Sequence, residues 1–564
     1  MKTIFNFFLL FSCLGLGQLQ AQDIESLGGS PFTVSGNISV GSSFYKAINR
    51  DNRRSPFAYF ISANPTFSIY GFDIPVSIAY RDQQGSISSS FNRYSISPRY
   101  KWAQLHLGNT SLTMNPYTLS GQLIKGAGLE LTPGHVRIAV VAGKLENPLA
   151  QLDTIVEGAE ILETYKRNAL AAKLGYGSQN NFIEFSAFKA KDDINSVDRA
   201  LINPRLVKPE ENIVFGTSLG ISPVKWVQLK VNVAASAHTA NQETISAFET
   251  EDFTQLKEDF GEVITLNFSS KLQFAGDASI NFRFKKFGFG AEYKRVDPLY
   301  RSLGTFYFLE DYENYLGKIN FNLLEGKLRF QGRGGVQRNN LNNLRSVTNT
   351  RQIINANLTV APSRSFSVTG RYANFQTDRS PGLISVNDSL RFARATASYG
   401  LSPRLTFGSK DRRSSISASV NYQNLEDLLN QENTGRNIDN FNANLTYGIS
   451  FKPSQFSISL SLLGNENLIQ DRETRRIGGN LRMSKKLLDR QLTLTSSAGY
   501  MQNFLNQIAD GNSITARLGI RYRVKKSYTA SFNINYLNRG GQTAFQEFRG
   551  TLKFTYILPR KTTN

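Results

Sequence analysis

Apolar and polar residues alternate one by one along most of this chain. From Ser513 to Arg523, Ile514, Ala516, Leu518, Ile520 and Tyr522 are interleaved with Ser513, Thr515, Arg517, Gly519, Arg521 and Arg523. The same alternation sets Tyr528, Ala530, Phe532, Ile534 and Tyr536 against Thr529, Ser531, Asn533 and Asn535. It then sets Phe548, Gly550, Leu552, Phe554 and Tyr556 against Glu547, Arg549, Thr551, Lys553 and Thr555. A period of two sends alternate side chains to opposite faces of a strand, so each segment predicts a strand that is apolar on one face and polar on the other. The pattern holds from about Phe32 to Leu558, with no stretch of helical period and no compositional break. It predicts one large all-β domain rather than a string of smaller ones.

The connections between the stripes are of two kinds. Short ones rich in Pro, Gly and Lys fall at Ser97–Lys101, Thr132–His135, Ser222–Lys225, Lys285–Lys286, Glu325–Gly326, Ala361–Ser365, Ser402–Leu405, Lys452–Gln455, Lys485–Arg490 and Val524–Lys526. Proline and glycine favour turns and break central strands, so these read as tight turns. Between them lie longer connections rich in Asn, Asp and Glu: Glu146–Glu163, Lys191–Glu211, His238–Glu262, Asp297–Asn314, Thr377–Asp388 and Asn424–Asn437. Tight turns alternating with long loops are the sequence form of an antiparallel transmembrane barrel, with periplasmic turns and extracellular loops. Walking the chain on this rule predicts about 26 strands, within a range of roughly 22–28.

Composition decides what the apolar faces touch. The chain carries 40 Phe and 23 Tyr, yet its mean hydropathy is −0.31. No segment from Phe32 onward reads as a long apolar helix, and lipid around a closed barrel accounts for so much apolar stripe, because closure pairs every backbone group. Trp102 and Trp226 lie within two similar strings, ISPRYKWAQLHL and ISPVKWVQLKV, just after their turns, and are placed as an interface belt at one rim. Lys2, an apolar run from Ile4 to Leu16 and the small Ala21 have the layout of a secretory signal peptide. The expected organisation is therefore a signal peptide at 1–21, a short periplasmic segment at 22–31, a barrel at 32–558 and a tail at 559–564. The only cysteine, Cys13, lies in the signal segment, so no disulfide is expected. The expected location is the outer membrane of a Gram-negative bacterium, in contact with membrane lipid and lipopolysaccharide.

Charge is sorted as well as unbalanced, with a formal net charge of +21. Acidic residues gather in the long loops, while basic ones occupy the turns and the polar stripe. Lys327, Arg329, Arg333, Arg371, Arg476, Arg482, Arg517, Arg521, Arg523, Arg549 and Lys553 form the expected basic lumen. Lysine and arginine around a pore favour anionic solutes. The alternative, acidic loops folding inward to pair with them, stands equally, since confined charges need partners. The basic residues alternate along strands and form no patch or binding motif for nucleic acid.

Catalytic and metal chemistry find little to use. Three histidines, His106, His135 and His238, have no ligand spacing, and no nucleophile–base set is visible, so neither enzyme activity nor a cofactor is expected. The segment Asn109–Gly121, with Leu112, Met114, Tyr117 and Leu119, is the expected constriction, and His238–Glu262 is a second candidate loop. About ten residues separate Ala21 from the first strand, which leaves no plug domain in a barrel whose diameter grows with strand number.

The strings NPYTLSG (Asn115–Gly121), KGAGLELTPG (Lys125–Gly134), FKAKDDINS (Phe188–Ser196) and YKRVDPLYRSLGTFYF (Tyr293–Phe308) resemble those of a group of large outer-membrane barrels from Bacteroidota. The resemblance implies compartment and architecture, with no catalytic or ligand residues to carry over. Two functions follow as expectations. The first is an accessory or scaffold subunit of a larger outer-membrane machine, for protein secretion, gliding or barrel assembly, with outer-membrane or periplasmic proteins as partners. The other is a porin-like channel with a basic lumen that favours anionic solutes.

Overall fold

Alternation becomes architecture through strand pairing. The structure, a computed structural model, describes residues 32–82, 93–148, 164–197, 207–245, 261–305, 310–345, 347–381, 392–427, 438–469, 472–525, 527–541 and 544–558. The expected signal peptide, the 22–31 segment, the C-terminal tail and parts of the long loops lie outside these residues.

The first strand, Phe32–Ile48, pairs antiparallel with Phe57–Ile69 on one side and with the last strand, Phe545–Leu558, on the other. That second pairing closes the sheet. Twenty-seven strand segments take part, and two of them, Arg93–Ile96 and Arg99–Tyr100, are pieces of a single stave interrupted at Ser97-Pro98. The result is a closed, antiparallel 26-stranded barrel. At about 4.8 Å between strands and a tilt of about 40°, its wall measures roughly 160 Å around, or about 50 Å across if circular.

Register keeps like faces together. Tyr528 lies opposite Tyr556, Ala530 opposite Phe554 and Phe532 opposite Leu552, and Phe554 meets Val40 across the closing seam. Leu518, Leu552 and Phe554 are 44%, 50% and 48% exposed, so this face is a bare apolar surface with no protein layer over it. A one-residue slip would turn all of these side chains into the lumen, which is why the alternation fixes the register. Exposed aromatics cluster at the tight-turn rim, where Trp226 stacks on Phe284 at 5.3 Å and Phe282 packs on Phe289 at 4.6 Å. Trp102 and Trp226 are both the last turn residue before a strand, Ala103–Thr110 and Val227–Thr239 respectively.

Two turn expectations are corrected. Ser402–Leu405 is not a turn: strand Phe392–Gly408 runs through it, and the chain reverses at 409–411. Pro403 is accommodated because Ser402 and Pro403 drop out of the ladder to Arg412–Asp427 while remaining opposite Thr369 and Val368 on the other side. One ladder position without an N–H donor costs less than ending the strand. At Ser97–Lys101 the reversal falls at Lys101-Trp102, after the short Arg99–Tyr100 piece. The far-side connections are also not uniformly long. Asn506-Gln507, both at positive φ, link strand Leu492–Leu505 to Ile508–Val524 in a two-residue turn. The 540–544 connection is short as well. Connections at this rim are therefore short over the C-terminal wall, after Ile469, and mostly longer before it.

Candidate functional site: a lumen filled on one side and cationic on the other

The segment Ser111–Leu123 joins strands Ala103–Thr110 and Ile124–Leu131 and packs against the inner wall. Its side is fixed by alternation: Leu170 is 52% exposed to the outside, whereas its neighbours Ala169 and Ala171 are buried beneath the segment. Leu112, Met114, Tyr117 and Leu119 are 6%, 5%, 1% and 0% exposed and share a core with Val141, Phe188 and Val214 of the wall. Small wall residues make room for them. A Cβ on Gly216 would stand 2.6 Å from Thr118 Cγ2.

A second segment, 297–305, locks the first in place. Tyr300 donates its hydroxyl to Tyr117 O at 2.8 Å, Ser302 Oγ donates to Thr118 O at 2.6 Å, and Ser120 N donates to Gly304 O at 2.9 Å. Gly304 is required there, because a Cβ would lie 2.3 Å from Thr118 O. The wall holds both segments. Tyr117 donates to Asp277 at 2.7 Å, Asn115 Nδ2 to Ser218 Oγ at 2.9 Å, and Leu303 N to Asn212 Oδ1 at 3.0 Å. Burial pushes the pKa of both Tyr117 and Tyr300 up, helped at Tyr117 by Asp277, so both hydroxyls remain donors.

Ion pairs gather on the same side, toward the loop rim. Arg167 meets Asp192 at 2.7 Å, Glu210 at 2.9 Å and Glu146 at 3.7 Å, and Arg301 adds a contact to Glu210 at 3.0 Å. Burial raises the Glu210 pKa, while Arg301 and Arg167 pull it back. Glu211 is held by Lys191 at 3.1 Å and Arg338 pairs with Glu313, while Arg137 meets Glu184 at 2.6 Å at the opposite, tight-turn end. The three histidines lie apart: His106 mid-strand on Glu130 at 2.9 Å, His135 edge-on to Tyr176, and His238 at 3.8 Å from Glu210. Arg167→Met should leave Asp192, 2% exposed, as an uncompensated buried charge. Breaking such a pair costs about 3–5 kcal/mol. The rim between 192 and 210 should then open locally, read as faster amide exchange at Asp192 and Gln242, whose backbone and side-chain bonds knit it; unchanged exchange would show that the network is dispensable.

The wall from Phe366 to Leu558 is different. Between Arg472 and Leu558 stand fifteen Lys and Arg against four Asp and Glu. Of the eleven basic residues singled out in sequence, Arg333 alone has an ion-pair partner among the described residues, Glu292 at 3.7 Å. Lys327 sits in the turn after 324–326 rather than on the wall. Arg329 and Arg371 lie on separate strands of the middle wall, and Arg476 stands higher, in a belt with Asn442, Asn465 and Asn503. Arg482, Arg517, Arg521, Arg523, Arg549 and Lys553 come together.

Their arrangement is a checkerboard. One row across the strands reads Ser459, Arg482, Ser497, Arg517, Asn535, Arg549, and a second reads Lys486, Thr493, Arg521, Ser531, Lys553. Cations occupy every second strand, and the strands between supply hydroxyls and amides. This spacing avoids like charges directly opposite, which destabilise a sheet. It still leaves neighbouring cations about 10 Å apart, close to the Debye length at physiological salt. Sequence reasoning passed over Lys486, Arg490, Arg404 and Arg413, which line cavities of about 590 Å³ with Arg482. Arg404, Lys486 and Arg490 fall in segments that read as turns, which hid them, although a parity count from Arg482 would have found Lys486.

An apolar outer face, closure without edges and a polar lumen together define a transmembrane β-barrel of the outer-membrane type. The structure is similar in fold to the P pilus usher (PapC) translocation pore, at 12% identity over 94% of this chain and 100% of that one, TM-score 0.38. It is similar also to PapC in an E. coli P pilus tip assembly intermediate, at 12% identity over 96% and 64% of the two chains, TM-score 0.46. Pseudomonas aeruginosa OprD is similar at 10% identity over 63% and 91%, TM-score 0.31. No protein-family model matches the chain, and no curated protein does.

Proposed function

We propose that the protein is an outer-membrane channel for anionic solutes, in which the two latched segments confine passage to the cationic side of the lumen. The observation that carries this reading is the checkerboard of Arg482, Arg517, Arg521, Arg549 and Lys553, exposed to the lumen and without acidic partners among the described residues. Confined cations raise the local concentration of anions and lower that of cations. The four quoted strings support placing the barrel among those of Bacteroidota, and its outer face supports contact with lipid and lipopolysaccharide. One feature favours an accessory role in a larger outer-membrane machine: among the described residues the latch covers only about a third of the inner wall of a barrel roughly 50 Å across, which leaves width for a protein partner.

Purified barrel in a planar bilayer under a salt gradient separates the two. Discrete conductance steps with an anion-selective reversal potential are expected. Changing Arg482, Arg517, Arg521 and Arg523 together to Ser should lower the anion preference at least about threefold, more at low salt than at high salt. A silent bilayer, with a fixed set of envelope proteins co-purifying, would sink the channel in favour of the accessory role.

A further inference from the structure

Arg482 stands where three lumenal cavities meet. On one side it lines a cavity of about 590 Å³ with Arg404 and Arg413, on the other a second of about 590 Å³ with Arg521 and Arg523, and a third of about 260 Å³ with Arg517. Together they cross eight neighbouring strands, from Phe392–Gly408 to Tyr528–Arg539, and form a shallow trough running around the wall for roughly 34 Å. The trough lies nearer the tight-turn rim, since Arg413, Lys486, Arg490 and Arg523 are within a few residues of turns. Toward the loop rim the wall changes character and presents Asn421, Asn442, Asn465 and Asn503.

Resting on the channel reading, we infer that this trough is a binding site for an extended acidic oligosaccharide, a chain with a carboxylate or sulfate on successive sugars. Three features select that ligand. Cations repeated every 7–10 Å or so along and across strands match a repeating anion rather than a single one. The interposed Ser415, Ser459, Thr495, Ser531 and Asn533 offer donors and acceptors to hydroxyls lying between the charges. The cavities contain no Phe, Tyr or Trp, so the trough lacks the stacking platforms on which single-stranded nucleic acid is held. Arginine forks bind planar carboxylates and sulfates through paired N–H donors, and eight strands give a long ligand several such points at once.

The test uses the full-length barrel in a planar bilayer, with hexagalacturonate, maltohexaose and hexaglutamate added from the tight-turn side. Hexagalacturonate should block at a concentration at least about tenfold below maltohexaose and below hexaglutamate. The triple variant R482S/R521S/R523S should lose about tenfold of that sensitivity; Ser459 and Ser497 already flank Arg482, so serine fits the wall. A conducting channel that hexaglutamate blocks equally well, or whose block survives the triple variant, overturns the inference while leaving the channel intact. If the bilayer is silent, the channel reading fails, and fluorescence anisotropy of labelled hexagalacturonate with the detergent-solubilised barrel still decides. Equal affinity of the wild type and the triple variant would then overturn the site.

Discussion

Leu462→Arg should destabilise the folded barrel by about 2–4 kcal/mol, whereas Ser461→Arg, one residue away, should stay within about 1 kcal/mol. The two positions lie at the middle of strand Phe456–Ile469 and on opposite faces. Leu462 is 54% exposed on the outer surface, opposite Leu445, so an arginine there meets hydrocarbon at its greatest depth. Ser461 faces the lumen between Thr446 and Asn480 and loses only the 2.9 Å contact with Thr446. Urea titration in lipid vesicles, read from the faster migration of folded barrel on an unheated gel, gives both numbers. Equal penalties, or a reversed order, would show that the faces are misassigned and the register is off by one residue.

Excising the latch should have the largest effect on conductance. Leu112, Met114, Tyr117, Leu119, Tyr300 and Leu303 are all buried, and at roughly 1.5–3 kcal/mol for each fully buried large side chain the latch is held by at most about 9–18 kcal/mol. Spontaneous opening is then rare, and the wild-type current should be steady. The latch packs on the wall from Ile124–Leu131 to Phe287–Val296, close to a third of the circumference. Replacing Ser111–Leu123 by a short Gly-Ser connection should therefore raise single-channel conductance roughly 1.5- to 2-fold, as open cross-section scales with the freed sector. Gly304→Leu should do the same in part, as flicker, by driving a side chain into Thr118 O. Unchanged current in the excised barrel would place the segment outside the permeation path.

Much of this was legible from alternation. The parity of Tyr528, Phe554 and their neighbours follows from the two-residue period of a strand, and strand number followed from counting turns, because each reversal in a meander adds one stave. The failures came where a turn residue did not turn. Pro403 sits inside a strand since only one of its two ladders has to yield. At Asn506-Gln507, conversely, two polar residues reverse the chain where nothing in the composition distinguishes them from strand. The aromatic and aliphatic side chains of Ser111–Leu123 marked an unusual loop, but its lock, Tyr300 to Tyr117 and Ser302 to Thr118, joins residues more than 180 positions apart.

The sequence alone determined the barrel and its two faces, because these depend on side-chain parity, which is local; it left open whether acidic loops fold inward onto the basic stripe. Only the tertiary structure decided how charge is distributed around the lumen. Ion pairing and cavity formation depend on which strands become neighbours after closure. Arg167 and Arg482 look alike in sequence, yet the first is bound by three carboxylates near the loop rim. The second faces open space with no acidic partner among the described residues.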